Sequence, residues 1–230
     1  MAAELNSNTL TIAMPVHGLW ITPNTPGSKV PSHGTSDFGE SYAIDFVMVN
    51  DAKGLKKPYK SSVLKYILRG IPLSDFYGWG QPIHSPINGK VIAIENDVAE
   101  RPIVNPFSDF WYVRNATKKF ISSRQHPETI AGNYVLIEMS QDKYALLAHL
   151  AKGSVAVKCG ESVVVGQAIG KLGHSGNSTM PHLHMQFMNS RNFNIAKGLP
   201  FRIMKYEVMK NGSWTKAINS IPTNDEVIRY

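Results

Sequence analysis

Gly173-His174-Ser175-Gly176-Asn177-Ser178-Thr179-Met180-Pro181-His182-Leu183-His184, followed by the apolar Met185-Gln186-Phe187, is the stretch from which the rest of the chain is read. Two imidazoles one residue apart lie on the same face of a β-strand, because side chains alternate with a period of two. The Gly/Ser/Asn-rich segment delivers the chain as a turn, and Pro181 fixes φ just before the strand begins. The expectation is a stiff strand entrance carrying two rings on one side, a pair able to hold a metal and the water beside it. The pair alone is equally well read as two solvated histidines.

Outward from that motif, short apolar runs alternate with Gly, Pro and Asn. Residues 43–49, 89–94, 134–138, 144–149, 162–165, 168–172 and 182–188 read as strands. Ser140-Gln141-Asp142-Lys143 reads as a hairpin turn that pairs its flanking strands and leaves His149 near the far end of the hairpin. Asn211-Gly212 marks a second hairpin within a tail from Gly198 to Tyr230. Residues 50–80 and 97–131 interrupt the sheet and read as surface loops or short helices that wall a groove. The expected organisation is one domain over 1–230, with the motif-bearing core at about 30–190 and the hairpin extension at about 198–230.

Composition bounds the function. The 230 residues are 43% hydrophobic and 18% charged, enough for a packed core. A net charge of +7 favours an anionic partner, a wall polymer, a membrane surface or a nucleic acid. Lys56-Lys57 and Lys118-Lys119 are short and lack interleaved aromatics, so nucleic acid is a poor candidate and solvated loop charge the better account. One cysteine, Cys159, excludes an internal disulfide and a thiolate cluster, and its place beside an apolar strand pattern predicts a buried or half-buried thiol. Met1 to Thr11 lacks a signal-peptide pattern, and no segment has the length of a membrane span, which leaves location open.

Four motifs in one order resemble the core of the lysostaphin/LytM-type zinc metallopeptidases, enzymes that cut peptide cross-bridges of bacterial cell walls. They are Ser32-His33-Gly34-Thr35 with Tyr42-Ala43-Ile44-Asp45-Phe46; Pro82-Ile83-His84-Ser85-Pro86-Ile87-Asn88-Gly89-Lys90-Val91; Gly132 to Glu138 with Tyr144 to Leu150; and Val165 to Gly170 with Pro181 to His184. The resemblance implies a mainly β fold, an antiparallel β-sandwich or open barrel of the duplicated hybrid motif type with long inserted loops. It implies a zinc-dependent endopeptidase acting on peptidoglycan peptides at the cell envelope or outside the cell.

Carried over by motif, His33, Asp45 and His184 hold Zn²⁺. His149 and His182 are the two assisting histidines, which position the activated water, take its proton and stabilise the oxyanion. The aspartate has a competitor. Asp37 sits at the short spacing common in the family, whereas Asp45 opens the strand 46–49, where ligand geometry is easier to hold, and is preferred. His17, His84, His126 and His174 are read as structural. Trp20, Tyr42, Phe76, Tyr77 and Trp79 could line a groove but are more simply core. Two other classes fit the same residues: a catalytically silent module that binds wall peptides or a partner protein, and a histidine phosphocarrier, which has no use for a carboxylate beside its imidazoles. Which peptide bond is cut and the oligomeric state are not readable.

Overall fold

The computed structural model of the chain describes residues 9–50, 56–123 and 128–230; His126 and most of the Met1 to Thr11 segment lie outside them. The fold is mainly antiparallel β. Its strands begin with β1 (Leu10–Ile12), β2 (Leu19–Ile21) and β3 (Ile44–Met48), the last preceded by a 3-10 turn at Asp37–Tyr42. An insertion follows, with helix α1 (Val63–Arg69) and the short β4 (Ile71–Pro72). Next come β5 (Pro82–His84), β6 (Gly89–Glu95) and β7 (Ile103–Val104), then helices α2 (Pro106–Ser123) and α3 (Glu128–Ala131). The chain continues through the hairpin β8 (Asn133–Ser140) and β9 (Lys143–Leu150), then β10 (Ser162–Val163), β11 (Ala168–Lys171) and β12 (Leu183–Met188). It ends with β13 (Phe201–Lys210), β14 (Ser213–Ser220) and β15 (Val227–Arg229).

Eleven of these strands form one sheet with the order β1-β13-β15-β2-β3-β12-β9-β8-β6-β10, β14 pairing with β13, and the path does not close into a barrel. Among the described residues only β1 and β13 pair in parallel. Residues from both ends of the path, Ile12 and Ile203 at one and Val163 at the other, enter one apolar core, so the sheet curves around it. Two backbone bonds tie the halves: Ala13 N–H to Pro86 O and His84 N–H to Pro15 O, both at 2.9 Å.

The two expected hairpins are present. The β8–β9 turn has Ser140 opposite Lys143 with Asp142 at φ 58°. Asn211 and Gly212 both take positive φ, 50° and 78°, at the β13–β14 turn, the pairing that a two-residue hairpin with the sheet's twist requires. Two expectations fail. Cys159 is exposed, its thiol donating to Ile92 O, because it lies in a surface turn, closed by Glu161 N–H to Lys158 O, that follows the core residue Val157. The stretch 97–131 holds an eighteen-residue helix, not a loop or short helix, and Lys118 and Lys119 are exposed on that helix. Asn105 caps it, its Oδ1 accepting from Phe107 N–H at 3.0 Å, with Pro106 in the first helical position.

β12 is the centre of the architecture. It is buried at all six positions and pairs with β3 on one side and β9 on the other. Leu183, Met185 and Phe187 enter the main core, each side chain worth about 1.5–3 kcal/mol of burial. His184, Gln186 and Met188 therefore face the opposite side. The register places Asp45 and Ala148 directly beside His184.

Candidate metal and catalytic centre

Strand pairing sets the centre of the site. Asp45 lies directly opposite His184, and its Oδ1 is 3.0 Å from His184 Nδ1. His33 arrives from the loop after β2, with Nε2 3.0 Å from Asp45 Oδ2. Ser32 holds that loop: its hydroxyl donates to Ala43 O at 2.7 Å and lies 3.0 Å from His33 Nδ1. Asn24 donates from Nδ2 to Asp45 Oδ2 at 2.8 Å, and Gln186 Oε1 lies 2.9 Å from His184 Nε2. Single donor atoms of His33, Asp45 and His184 lie within 4.8 Å of one another, and no other such group of three occurs among the described residues. Two imidazoles and a carboxylate are the donor chemistry of a hydrolytic metal site that leaves a position open, and three converging donors fit one ion.

His149 reaches this site through an irregularity. Strict alternation would send its ring to the core face with Leu147. A register shift in the β8–β9 ladder and a left-handed φ of 63° at His149 turn the ring to the site face instead. Its centroid is 4.6 Å from that of His182 and 5.8 Å from that of His184. His149 Nδ1 lies 3.0 Å from Ser175 O, which fixes the ring and leaves Nε2 as the other nitrogen. His182 Nδ1 is 2.8 Å from Met180 O, and His182 Nε2 is 3.7 Å from Asp45 Oδ1.

The electrostatics follow from burial and mutual distance. Burial alone would raise the Asp45 carboxyl, but His182, His184 and His33 outweigh it and hold the group well below the usual carboxylate range. Burial opposes charge on His184 too, yet its hydrogen bond to Asp45 and the carboxylate's charge push it up to about 9. His149 is held well below the ordinary histidine value by burial and by the neighbouring His182 and His184. Burial also lowers His182, with Asp45 opposing.

A second network backs the pair. Asp109 on α2 is buried, bonded by Arg101 Nε at 2.5 Å and lying 3.4 Å from His174 Nε2. His174 Nδ1 is 3.0 Å from Ser178 Oγ, which is itself 3.1 Å from His182 Nδ1. His174 is thus structural, as expected, but it belongs to a chain of contacts ending at His182. Arg101, Asp109 and Ser178 were not legible as a set, because Asp109 joins the others only once α2 forms; the helix-start signal Asn105-Pro106 was the available clue.

The histidines open onto a cavity of about 430 Å³. Val113, Thr117 and Phe120 of α2 form one wall, so residues 97–131 do border the groove. Among the described residues of 50–80, none lines it. Its aromatic lining is Phe38, Phe120 and Phe193; Trp20 and Phe76 are core, and Trp79 bonds Glu100 at the surface. Asp37 lines the rim, exposed and outside the donor group, eight residues from the carboxylate that the pairing of β3 with β12 delivers. His17 and His84 stack edge to face at 4.8 Å, also outside that group.

Residues 113–195 match the family model of Peptidase family M23. Peptidoglycan DD-endopeptidase ShyA of Vibrio cholerae is 36% identical over 88 residues, 38% of this chain and 18% of that protein. Peptidoglycan DD-endopeptidase ShyC of the same organism is 33% identical over 103 residues, 45% of this chain and 22% of that protein. The chain spans about a fifth of the length of these curated relatives. The catalytic domain of lysostaphin from Staphylococcus simulans aligns with 79% of this chain and 88% of that one, at 19% identity and a TM-score of 0.37. The matched segment contains His149, His182 and His184, to which the fold adds His33 and Asp45 from upstream. The match of residues 113–195 to Peptidase family M23 bears out the lysostaphin/LytM-type resemblance.

Proposed function

We propose that this chain is a zinc-dependent endopeptidase that hydrolyses peptide bonds of peptidoglycan at the cell envelope. The observation that carries the reading is the convergence of His33, Asp45 and His184 within 4.8 Å, with His149 and His182 stacked at 4.6 Å beside them. His33, Asp45 and His184 would hold the metal. Bound zinc would supply a Lewis acid and a nucleophilic water near neutral pH, which makes a protein nucleophile unnecessary.

The assisting histidines have complementary means. Ser175 O and Met180 O engage Nδ1 of His149 and His182, so in each ring Nε2 is the nitrogen available to the reaction. His149, buried and kept neutral, can accept a proton at Nε2 at physiological pH. His182, with Nδ1–H held by Met180 O and Nε2 3.7 Å from Asp45 Oδ1, can also take a proton at Nε2 and, once so protonated, stabilise the oxygen on which charge develops when the carbonyl is attacked. The walls formed by Val113, Phe120 and Leu146 exclude water around a bound peptide, and the open rim admits an extended chain. The carboxylate at 3.0 Å from two of the imidazoles speaks against a phosphohistidine carrier, since a phosphoryl group there would meet its charge.

Digestion of purified cross-linked peptidoglycan and of a panel of synthetic wall peptides, read by mass spectrometry, tests the proposal. The expected result is one class of peptide bond cut by the wild type and none by His149→Ala or His182→Ala. A protein that binds the peptides with zinc in place yet cuts none of them would be a binding module and would overturn the proposal.

A further inference from the structure

The two insertions, of which only that carrying α2 walls the groove, present outward apolar side chains unlike the rest of the molecule. On α1, Leu64 and Leu68 are 67% and 68% exposed; on α2, Phe107, Phe110 and Trp111 are 63%, 55% and 59% exposed. The helices are joined at their ends. β4 and β7 pair through Ile71 and Val104, Asn105 Nδ2 donates to Ile67 O at 3.5 Å, and a Cβ on Gly70 would meet Ile103 at 2.7 Å. Beneath them lies a separate small core of Tyr59, Tyr66, Ile71, Leu73, Phe76 and Val104, so the outward apolar residues are additional to what the fold needs.

The charge on this surface has one sign. The α1 sequence contains no acid, and the single acid of α2, Asp109, is buried against Arg101. Lys65 is paired with Asp75 at 3.9 Å, but Arg69, Arg114, Lys118 and Lys119 are exposed and make no ion pair among the described residues. Phe107, Trp111, Arg114 and Lys118 follow the i, i+4, i+7, i+11 spacing of one helical stripe, aromatic at its start and basic at its end. Aromatic anchors beside unpaired cations, on helices not long and apolar enough to cross a bilayer, are the chemistry of a surface that lies in a membrane interface.

We infer that the α1–α2 surface docks on an anionic lipid bilayer, with Phe107, Phe110, Trp111, Leu64 and Leu68 entering the interface and Arg69, Arg114, Lys118 and Lys119 meeting the lipid headgroups. Val113, Thr117 and Phe120 on the other side of α2 wall the cavity, so the docked protein would hold its groove at the membrane face. This inference does not depend on the reaction performed there.

Flotation of the full chain with phosphatidylglycerol-containing vesicles, against pure phosphatidylcholine vesicles, tests it. The wild type should bind the anionic vesicles at least about tenfold more tightly, with a blue shift of tryptophan emission. Phe107→Ser with Trp111→Ser, and separately Arg114→Glu with Lys118→Glu, should each weaken binding by about tenfold or more while keeping the wild-type thermal midpoint. Equal binding to both vesicle types, or binding unchanged in both double variants, would overturn the inference. So would a soluble polyanion bound as tightly as the vesicles with the aromatic variant unaffected, which would leave charge alone. A wild type that dimerises through this face, by sedimentation velocity, and ignores vesicles would assign the surface to a second copy instead.

Discussion

Replacing Asp45 and Asp37 in turn separates the two carboxylates that the sequence offers as ligand. The Asp45 carboxylate accepts from Asn24 at 2.8 Å and lies 3.0 Å from a nitrogen of His33 and of His184. It is the only anion in the donor group. Losing a residue that merely orients a ligand costs roughly 10–100-fold in metal affinity. Removing a donor that is also the group's sole negative charge should therefore cost at least about 100-fold, or about 2.7 kcal/mol. Asp45→Asn keeps the volume and the contact with Asn24 in reach, so it reports loss of charge without a cavity. Asp37 is exposed, and its backbone N–H donates to Thr35 Oγ1 at 3.1 Å. Asp37→Ala should stay within about 0.5 kcal/mol, roughly twofold in affinity. Competition for zinc against a chromophoric chelator, with thermal melting as the control for folding, gives both numbers. Full zinc affinity in Asp45→Asn together with a large loss in Asp37→Ala would refute the reasoning and move the ligand to the rim.

Three further outcomes follow from the geometry. His149→Ala and His182→Ala should each remain folded and zinc-loaded but lose about 10²-fold or more in kcat, and the double variant should be scarcely worse than the poorer single one; additive losses in a steady-state assay would separate their roles. In chelator-treated protein, His184, raised to about 9, contributes stability that is complete below the free imidazole's 6.5 and is lost as pH rises through 9. His149 and His182 are lowered, so their contributions are complete above 6.5 and are lost as pH falls. Calorimetry should thus find a maximum between these limbs, and an alkaline limb that persists in His184→Gln would contradict it. Gly176→Ala should destabilise by about 2–4 kcal/mol in denaturant melts and lower activity, since φ there is 65° and a Cβ would sit 2.4 Å from Gly132 N, pushing aside the turn that holds His149 and His182; a neutral effect would show that the turn yields freely.

Strands β3, β6 and β8 to β12 were legible because each lies in a short apolar run closed by turn residues, and Asn211-Gly212 reads as a hairpin wherever it falls between such runs; β1, β2 and β15, three residues each, are too short to show a pattern. The pairing of His33 with Asp45 and His184 was not legible from periodicity. These residues are 12 and 139 positions apart along the chain in their contacts, and only a strand register or a family resemblance brings them together. His149 was visible as a residue but not as a geometry, since its ring depends on a left-handed backbone that no sequence pattern announces. α2 was missed for a definite reason. Its outward face carries Phe107, Phe110 and Trp111, so the polar stripe that identifies a surface helix is absent. Cys159 was misplaced because an apolar neighbourhood in sequence was taken for burial, while Val157 and Val163 on either side turn into the core and the turn between them stays outside.

On the proposed function, metal held by His33, Asp45 and His184 makes this chain a peptidase. Stepwise return of zinc to chelator-treated protein, with hydrolysis of a cross-linked wall peptide followed at each step, tests it in one titration. Cleavage should rise in proportion to zinc, stop rising at one equivalent per chain, and be absent throughout in His184→Ala. Cleavage that is already complete before zinc is added, or none when one equivalent is bound, would contradict it.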